Sequence, residues 1–226
     1  MNYPHRKVWY NRRQIMALFM KQPIVQEQTP LYTLSSNRNL LIVGLGNPEK
    51  QYDGTRHNIG FAALDHFAED NDFDPWVNKK DLQCLLTQKT LGQTRVILVK
   101  PTTYMNLSGE AVQAAASFYK IPPESVIIVH DELDIHFGQI RTRNGGSAAG
   151  NNGLKSVIKH GYEASGRVRI GIGPKAHEQQ DSADFVLGKF TTAEQGSLKH
   201  LYGEVDSILT ETIYGDGTLF PETRTI

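Results

Sequence analysis

One short stretch, GLGNPEKQYDGTRHN at residues 44–58, supplies three candidates for a single site: Asn47, Tyr52 and His57. His57 follows Thr55-Arg56 and precedes a helical pattern, whose N-terminal dipole disfavours an imidazolium and so keeps the ring a base. A neutral histidine needs an orienting partner. Asp131, in His130-Asp131-Glu132-Leu133-Asp134, is the best candidate, because a carboxylate bonded to one ring nitrogen frees the other to accept a proton from water. Asn106, in YMNLSG at 104–109, and Asn151-Asn152 in a glycine-rich loop add further uncharged donor–acceptor groups. Each asparagine alone is more often a cap or turn residue, but at successive strand-to-helix junctions they suit a site that holds and polarises a carbonyl.

Other chemistries fit less well. Gly44-Leu45-Gly46 opens like a dinucleotide fingerprint, but the third glycine position is Glu49 and Pro48 stops a helix from starting there. The carboxylates Asp131, Glu132 and Asp134 suggest a divalent metal, yet neighbouring side chains on an extended chain point in opposite directions. HExxH, paired CxxC, a Walker lysine loop and a GxSxG elbow do not occur, so neither a metal centre nor a serine nucleophile is expected.

These residues need a frame that gathers strand ends. Leu40-Leu41-Ile42-Val43 reads as a strand buried on both faces. Residues 58–70 form an amphipathic pattern, with Phe61, Leu64 and Ala68 inward. Residues 83–88 and 94–100 read as a hairpin and 107–119 as a helix. The run 125–129 is a second buried strand ending at His130-Asp131. A basic strand with Arg141 and Arg143 leads into the loop 145–152, then a helix over 153–160 and a strand over 168–172. Thr191 with Glu194 makes a capping box for a last helix with Leu198, Leu201, Val205, Ile208 and Leu209 as its core stripe. The expected architecture is α/β: a single domain with a twisted mixed, mostly parallel β-sheet and helices on both faces. Such sheets bind ligands where strands end.

With 24 basic and 24 acidic residues the formal charge is zero, but it is unevenly placed. Residues 1–38 hold six basic groups against Glu27, a net +5, which leaves 18 basic against 23 acidic, a net −5, for residues 39–226. A polyanionic partner would therefore need a local positive patch. Residues 1–38 read as a basic, disordered N-terminal extension preceding the folded domain, 39–226. Three readings of it stand open: an arm that touches nucleic acid, a transit peptide, or an upstream start codon with Met16 or Met20 as the true start. A single cysteine, Cys84, and the lack of any apolar run near membrane length fit a soluble chain in a reducing compartment.

Taken together, these segments resemble the bacterial-type peptidyl-tRNA hydrolases. The matching stretches are VGLGNPEKQYDGTRHNIGF (43–61), VKPTTYMNLSGEAV (99–112), VHDELDIHFGQIRTR (129–143), GNNGLKS (150–156), RVRIGIG (167–173) and DFVLGKF (184–190). The resemblance implies an enzyme of translation that cleaves the ester between a peptide and the 3′ ribose of tRNA, without metal or cofactor. It also implies a cytoplasmic monomer meeting the 3′ end and acceptor stem, with organellar import if residues 1–38 act as a transit peptide. Carried over by position, His57 is the general base and Asp131 its orienting carboxylate. Asn47 binds near the ester, Tyr52 lines the pocket, Asn106 and Asn152 hold the peptide carbonyls and the oxyanion, and Met105 packs on the terminal nucleotide or the peptide. Arg143, Lys155 and Arg169 match basic positions expected to meet tRNA phosphates. Where many relatives read GGHNG, this chain has Ala149-Gly150-Asn151-Asn152-Gly153, which removes ready access to positive φ at 149 and a titratable ring at 151. The alternative is a non-catalytic RNA-binding protein on the same fold, similar to plant organelle splicing factors.

Overall fold

Leu40 to Val43 alternate between two cores, which is why β1 (Arg38–Gly44) is apolar along its centre. Leu40 and Ile42 face one core, Leu41 and Val43 the other, and all four are fully buried. Truncating one of them, as in Ile42→Ala, would cost ~2–5 kcal/mol. The computed structural model describes residues 38–174 and 181–226. The expectations for residues 1–37 lie outside the described residues. Arg38, counted above with the extension, is the first residue of β1, and its guanidinium donates to Thr94 Oγ1, Ile213 O and Gly215 O.

The other described strands are β2 (Val77–Lys79), β3 (Cys84–Leu91), β4 (Thr94–Pro101), β5 (Val126–His136), β6 (Gln139–Asn144), β7 (Gly166–Gly173) and β8 (Thr223–Thr225). They form one sheet in the order β2-β3-β4-β1-β5-β7-β6-β8. The central four, β4-β1-β5-β7, are parallel. The β2-β3, β3-β4, β6-β7 and β6-β8 pairs are antiparallel, so "mostly parallel" describes the middle of the sheet and not the whole. At one flank short turns join β2, β3 and β4 and reverse the chain without a crossover helix, whereas at the other the turn Phe137-Gly138 reverses it between β5 and β6, and β6 then pairs with β7 and β8, which lie far along the chain.

Helices α1 (Ile59–Asp70) and α5 (Thr192–Tyr214) cover one face through Ala63, Leu64, Phe67, Leu201, Val205 and Ile208. Helices α2 (Ser108–Tyr119) and α3 (Asn152–Lys159) cover the other through Val112, Ala115, Leu154 and Val157. The α5 capping box is complete: Thr191 Oγ1 accepts from the Glu194 amide at 3.3 Å, and Glu194 Oε2 accepts from the Thr191 amide at 2.6 Å. In α1, Ile59, Ala63 and Phe67 are buried, while Phe61 is only half-buried, one step off the expected inward face. A further helix, α4 (Ser182–Leu187), and strands β2 and β8 were not anticipated, being too short for a period to register.

The site is set by a step in the sheet. β1 ends at Gly44 opposite Val129, whereas β5 runs on to His136 beside β7, so His130-Asp131-Glu132 lies within the strand and not beyond its end. Gly44 and Gly60 let α1 close on that step, because a Cβ at Gly44 would meet Gly60 O at 2.4 Å and one at Gly60 would meet Val129 O at 2.4 Å. A Cβ at Gly46 would likewise meet the Phe61 ring of α1 at 2.7 Å, so helix contact accounts for the Gly44-Gly46 pair without a phosphate loop.

Candidate active site

Asn47, Tyr52, His57, Met105, Asn106, Asp131 and Asn152 line one pocket of about 640 Å³ at the step, together with Glu132, Asn151 and the α4 residues Ala183, Val186 and Leu187. His57 sits in a tight turn, Arg56–Asn58, that leads into α1. Its Nδ1 lies 2.9 Å from Asp131 Oδ2, with the two side chains 12% and 3% exposed. An ionised carboxylate only accepts hydrogen bonds, so Nδ1 carries the proton and the Nε2 lone pair is left as the base.

Asp131 is held on its other oxygen too. Asn151 Nδ2 donates to Asp131 Oδ1 at 3.0 Å, while Asn151 Oδ1 accepts from the Gly153 and Leu154 amides at 3.0 and 3.1 Å as the N-cap of α3. Backbone N–H groups can bond only to the amide oxygen, so the cap fixes which end of Asn151 faces Asp131. The helix therefore begins at Asn152, one residue before the expected start, and the departure at 151 turns out to be a structural tie. Ala149 adopts φ +44° despite its Cβ, so the substitution of glycine there leaves the left-handed conformation in place rather than removing it. His130, fully buried and pushed down to about 4 chiefly by burial, uses Nδ1 to bond the Asp131 carbonyl at 2.6 Å.

Asn47 is built in as firmly. Its Oδ1 accepts from the Met105 amide at 2.9 Å, its backbone N–H donates to Asn58 Oδ1 at 2.9 Å, and Asn58 Nδ2 donates back to Asn47 O at 2.9 Å. Buried Asn58, which no motif argument singled out, buckles the first loop, and Nδ2 is the part of the Asn47 amide left to offer a ligand. Met105 is 5% exposed and packs under Gly153, where a Cβ would lie 2.5 Å from its sulfur. That makes it mostly a core side chain rather than an open stacking surface. Asn106 and Asn152 are exposed, and at the rim the Tyr104 hydroxyl donates to a Glu49 carboxylate oxygen. Asp131 and Glu132 do face different partners: Glu132 lies 3.9 Å from Arg169, and burial raises its carboxyl above the usual range.

Arg143, Lys155 and Arg169 do not line this pocket. Register places Arg141 opposite Arg169 and Arg143 opposite Arg167, so four guanidinium groups share one face of β6 and β7. Arg167 is fully buried, donates to Ser165 Oγ and the Tyr162 and Glu163 carbonyls, and is pushed down to about 10 by burial and then by Arg143. Arg169 is also lowered by burial, then by Arg143. Arg143 donates to Ser147 O at 2.8 Å, and Lys155 donates to Asn152 Oδ1 at 3.2 Å. Crowded like charge of this kind is relieved by an anion. Among the described residues no helix is long and apolar enough to cross a membrane.

A mixed sheet whose central step holds a histidine–carboxylate pair in a pocket lined by side-chain amides defines an α/β protein with a built polar site. The family model described as "Peptidyl-tRNA hydrolase" matches residues 41–220. The chain is 44% identical over 180 residues to a peptidyl-tRNA hydrolase of Cereibacter sphaeroides, covering 80% of this chain and 79% of that one. It is 42% identical over 179 residues to one of Clostridium novyi, covering 79% and 93%. The crystal structure of peptidyl-tRNA hydrolase from Acinetobacter baumannii superposes with a TM-score of 0.69 at 35% identity, covering 79% of this chain and 88% of that one. The chain belongs to the peptidyl-tRNA hydrolase family.

Proposed function

We propose that this chain hydrolyses the ester joining a peptide to the 3′ ribose of tRNA, releasing free peptide and free tRNA. The observation that carries the reading is the His57–Asp131 pair at 2.9 Å, opening into an amide-lined pocket. In this route His57 Nε2 takes a proton from water as the oxygen attacks the ester carbon. Asp131 stabilises the imidazolium that forms, which is why the carboxylate must stay ionised. The negative charge developing on the carbonyl oxygen falls to the side-chain amides of Asn106 and Asn152, with Asn47 Nδ2 near the ester. When the tetrahedral species collapses, the 3′ oxygen leaves with the proton from His57. Tyr52 closes the wall. Side chains of this chain handle every proton and charge in that sequence, and the reading assigns no step to a metal or cofactor.

Arg143 and Arg169, on the basic face of β6 and β7, and Lys155, on α3, would take tRNA phosphates, a local supply of positive charge that the acidic balance of the domain calls for. The family resemblance supports a monomer acting in the cytoplasm, organellar import being the alternative tied to residues 1–38. RNA binding without turnover would not require a histidine oriented through a carboxylate by a helix cap. The test is incubation with N-acetyl-aminoacyl-tRNA and with the unblocked aminoacyl-tRNA, with and without a chelator. The reading expects free tRNA from the blocked substrate, undiminished by the chelator. Binding with no release would favour the RNA-binding alternative.

A further inference from the structure

The residue before His57 is tied to a different part of the pocket. Arg56 is 7% exposed, yet its guanidinium reaches across to the segment after α4, donating to the Lys189 carbonyl and to Glu194 Oε2 at 2.7 Å. It packs 4.6 Å from the ring centroid of Phe185 on α4 and 5.1 Å from that of Phe190 in the segment that follows. The backbone repeats the link: the Arg56 amide donates to Gly188 O at 3.0 Å, and Thr55 and Lys189 form an isolated bridge. Glu194 also completes the α5 cap, so one carboxylate joins the first turn of α5 to the His57 turn. The inner side of α4 offers Ala183, Val186 and Leu187 to the pocket.

We propose that Arg56 is a positioning residue that fixes the α4 wall of the substrate pocket against the His57 turn, and so sets substrate affinity rather than the chemical step. The inference rests on the hydrolase reading of that pocket. His57 itself is oriented from the other side, by Asp131, so loosening Arg56 leaves the base aligned while the wall drifts. A lysine at 56 keeps the charge but lacks the planar fork that serves Lys189 O, Glu194 and two rings at once.

The experiment compares Arg56→Lys with the parent chain on N-acetyl-aminoacyl-tRNA. The expected result is a KM raised roughly ten-fold with kcat within about three-fold and an unchanged pH-rate profile, the pattern of lost uniform binding. A merely structural role would lower the active fraction, and hence apparent kcat, at constant KM. Val186→Ala should raise KM in the parent and add little in Arg56→Lys, because the wall is already displaced. Amide exchange at Phe185 and Gly188 should quicken in Arg56→Lys while that at Leu64 and Phe67 stays put, a readout that needs no turnover. Glu194→Gln, which keeps an acceptor for both partners, should shift KM in the same direction by less, and serves if Arg56→Lys does not fold. An unchanged KM, additive effects with Val186→Ala, or unaltered exchange over α4 overturns the inference. If the parent releases no tRNA, the hydrolase reading fails separately, and exchange still decides whether Arg56 holds α4.

Discussion

Asn151 donates from Nδ2 to Asp131 Oδ1 at 3.0 Å, so the carboxylate that faces His57 is anchored to the N-terminus of α3. With Oδ2 committed to His57, both oxygens of Asp131 have one partner each and a single orientation. His57, Asp131, Asn151 and the first turn of α3, which also carries Asn152, thus form one chain of contacts.

Asn151→Asp isolates this tie. Aspartate caps a helix as well as asparagine does, so the melting temperature should change little. Two carboxylates about 3 Å apart cannot both ionise freely, so one keeps its proton to higher pH and Asp131 orients His57 less well. Turnover at neutral pH should fall and the acid limb of the pH-rate profile should move upward. Asp131→Asn should likewise keep the fold and cut the rate, because an amide cannot stabilise an imidazolium. A pH-rate profile identical to the parent's in both variants would argue against the chain of contacts.

How far the sequence could be read follows from these residues. His57, Asp131 and the asparagines were legible because their types are chemically specific and each follows an apolar run that announces a strand. Asn151 was visible as a departure but not as a tie, since its partner lies 20 residues away and depends on where α3 begins. Asn58 and Arg56 were passed over because a buried asparagine or arginine has no period or motif to mark it, only long-range partners. The parallel centre of the sheet followed from strand–helix alternation and the β3-β4 hairpin from two β-rich runs around a glycine turn, while the outermost strands β2 and β8, three residues each, are too short to read.

The basic face can be tested by salt. Arg143→Ala and Lys155→Ala should each lower the magnitude of the salt slope of log tRNA affinity by ~0.7–0.9, the signature of one lost phosphate contact. Arg169→Ala should lower it less, because Glu132 at 3.9 Å already balances part of that charge. Three slopes equal to the parent's would mean that tRNA docks elsewhere.

Stability should carry the mark of a carboxylate remote from the pocket. Asp206 on α5 faces His66 at 2.7 Å, with Asp70 beside them on α1, and burial pushes its carboxyl from the ordinary 3.8 up to about 6. Between those values the folded chain keeps a proton that the unfolded chain has released, so this group makes stability fall as pH rises through that window. Asp206→Asn lacks the effect. Its urea midpoint relative to the parent's should be more favourable at pH 7 than at pH 4. An equal difference at both pH values would contradict the assignment.

The most direct test of the account is single-turnover hydrolysis of N-acetyl-aminoacyl-tRNA by His57→Ala, read beside tRNA affinity for the same protein. A positioned general base typically contributes ~10²–10⁴-fold, and the neighbouring side chains offer no substitute for Nε2. The account predicts a rate lower by about that factor with tRNA affinity close to the parent's. Parent-like hydrolysis by folded His57→Ala would contradict it.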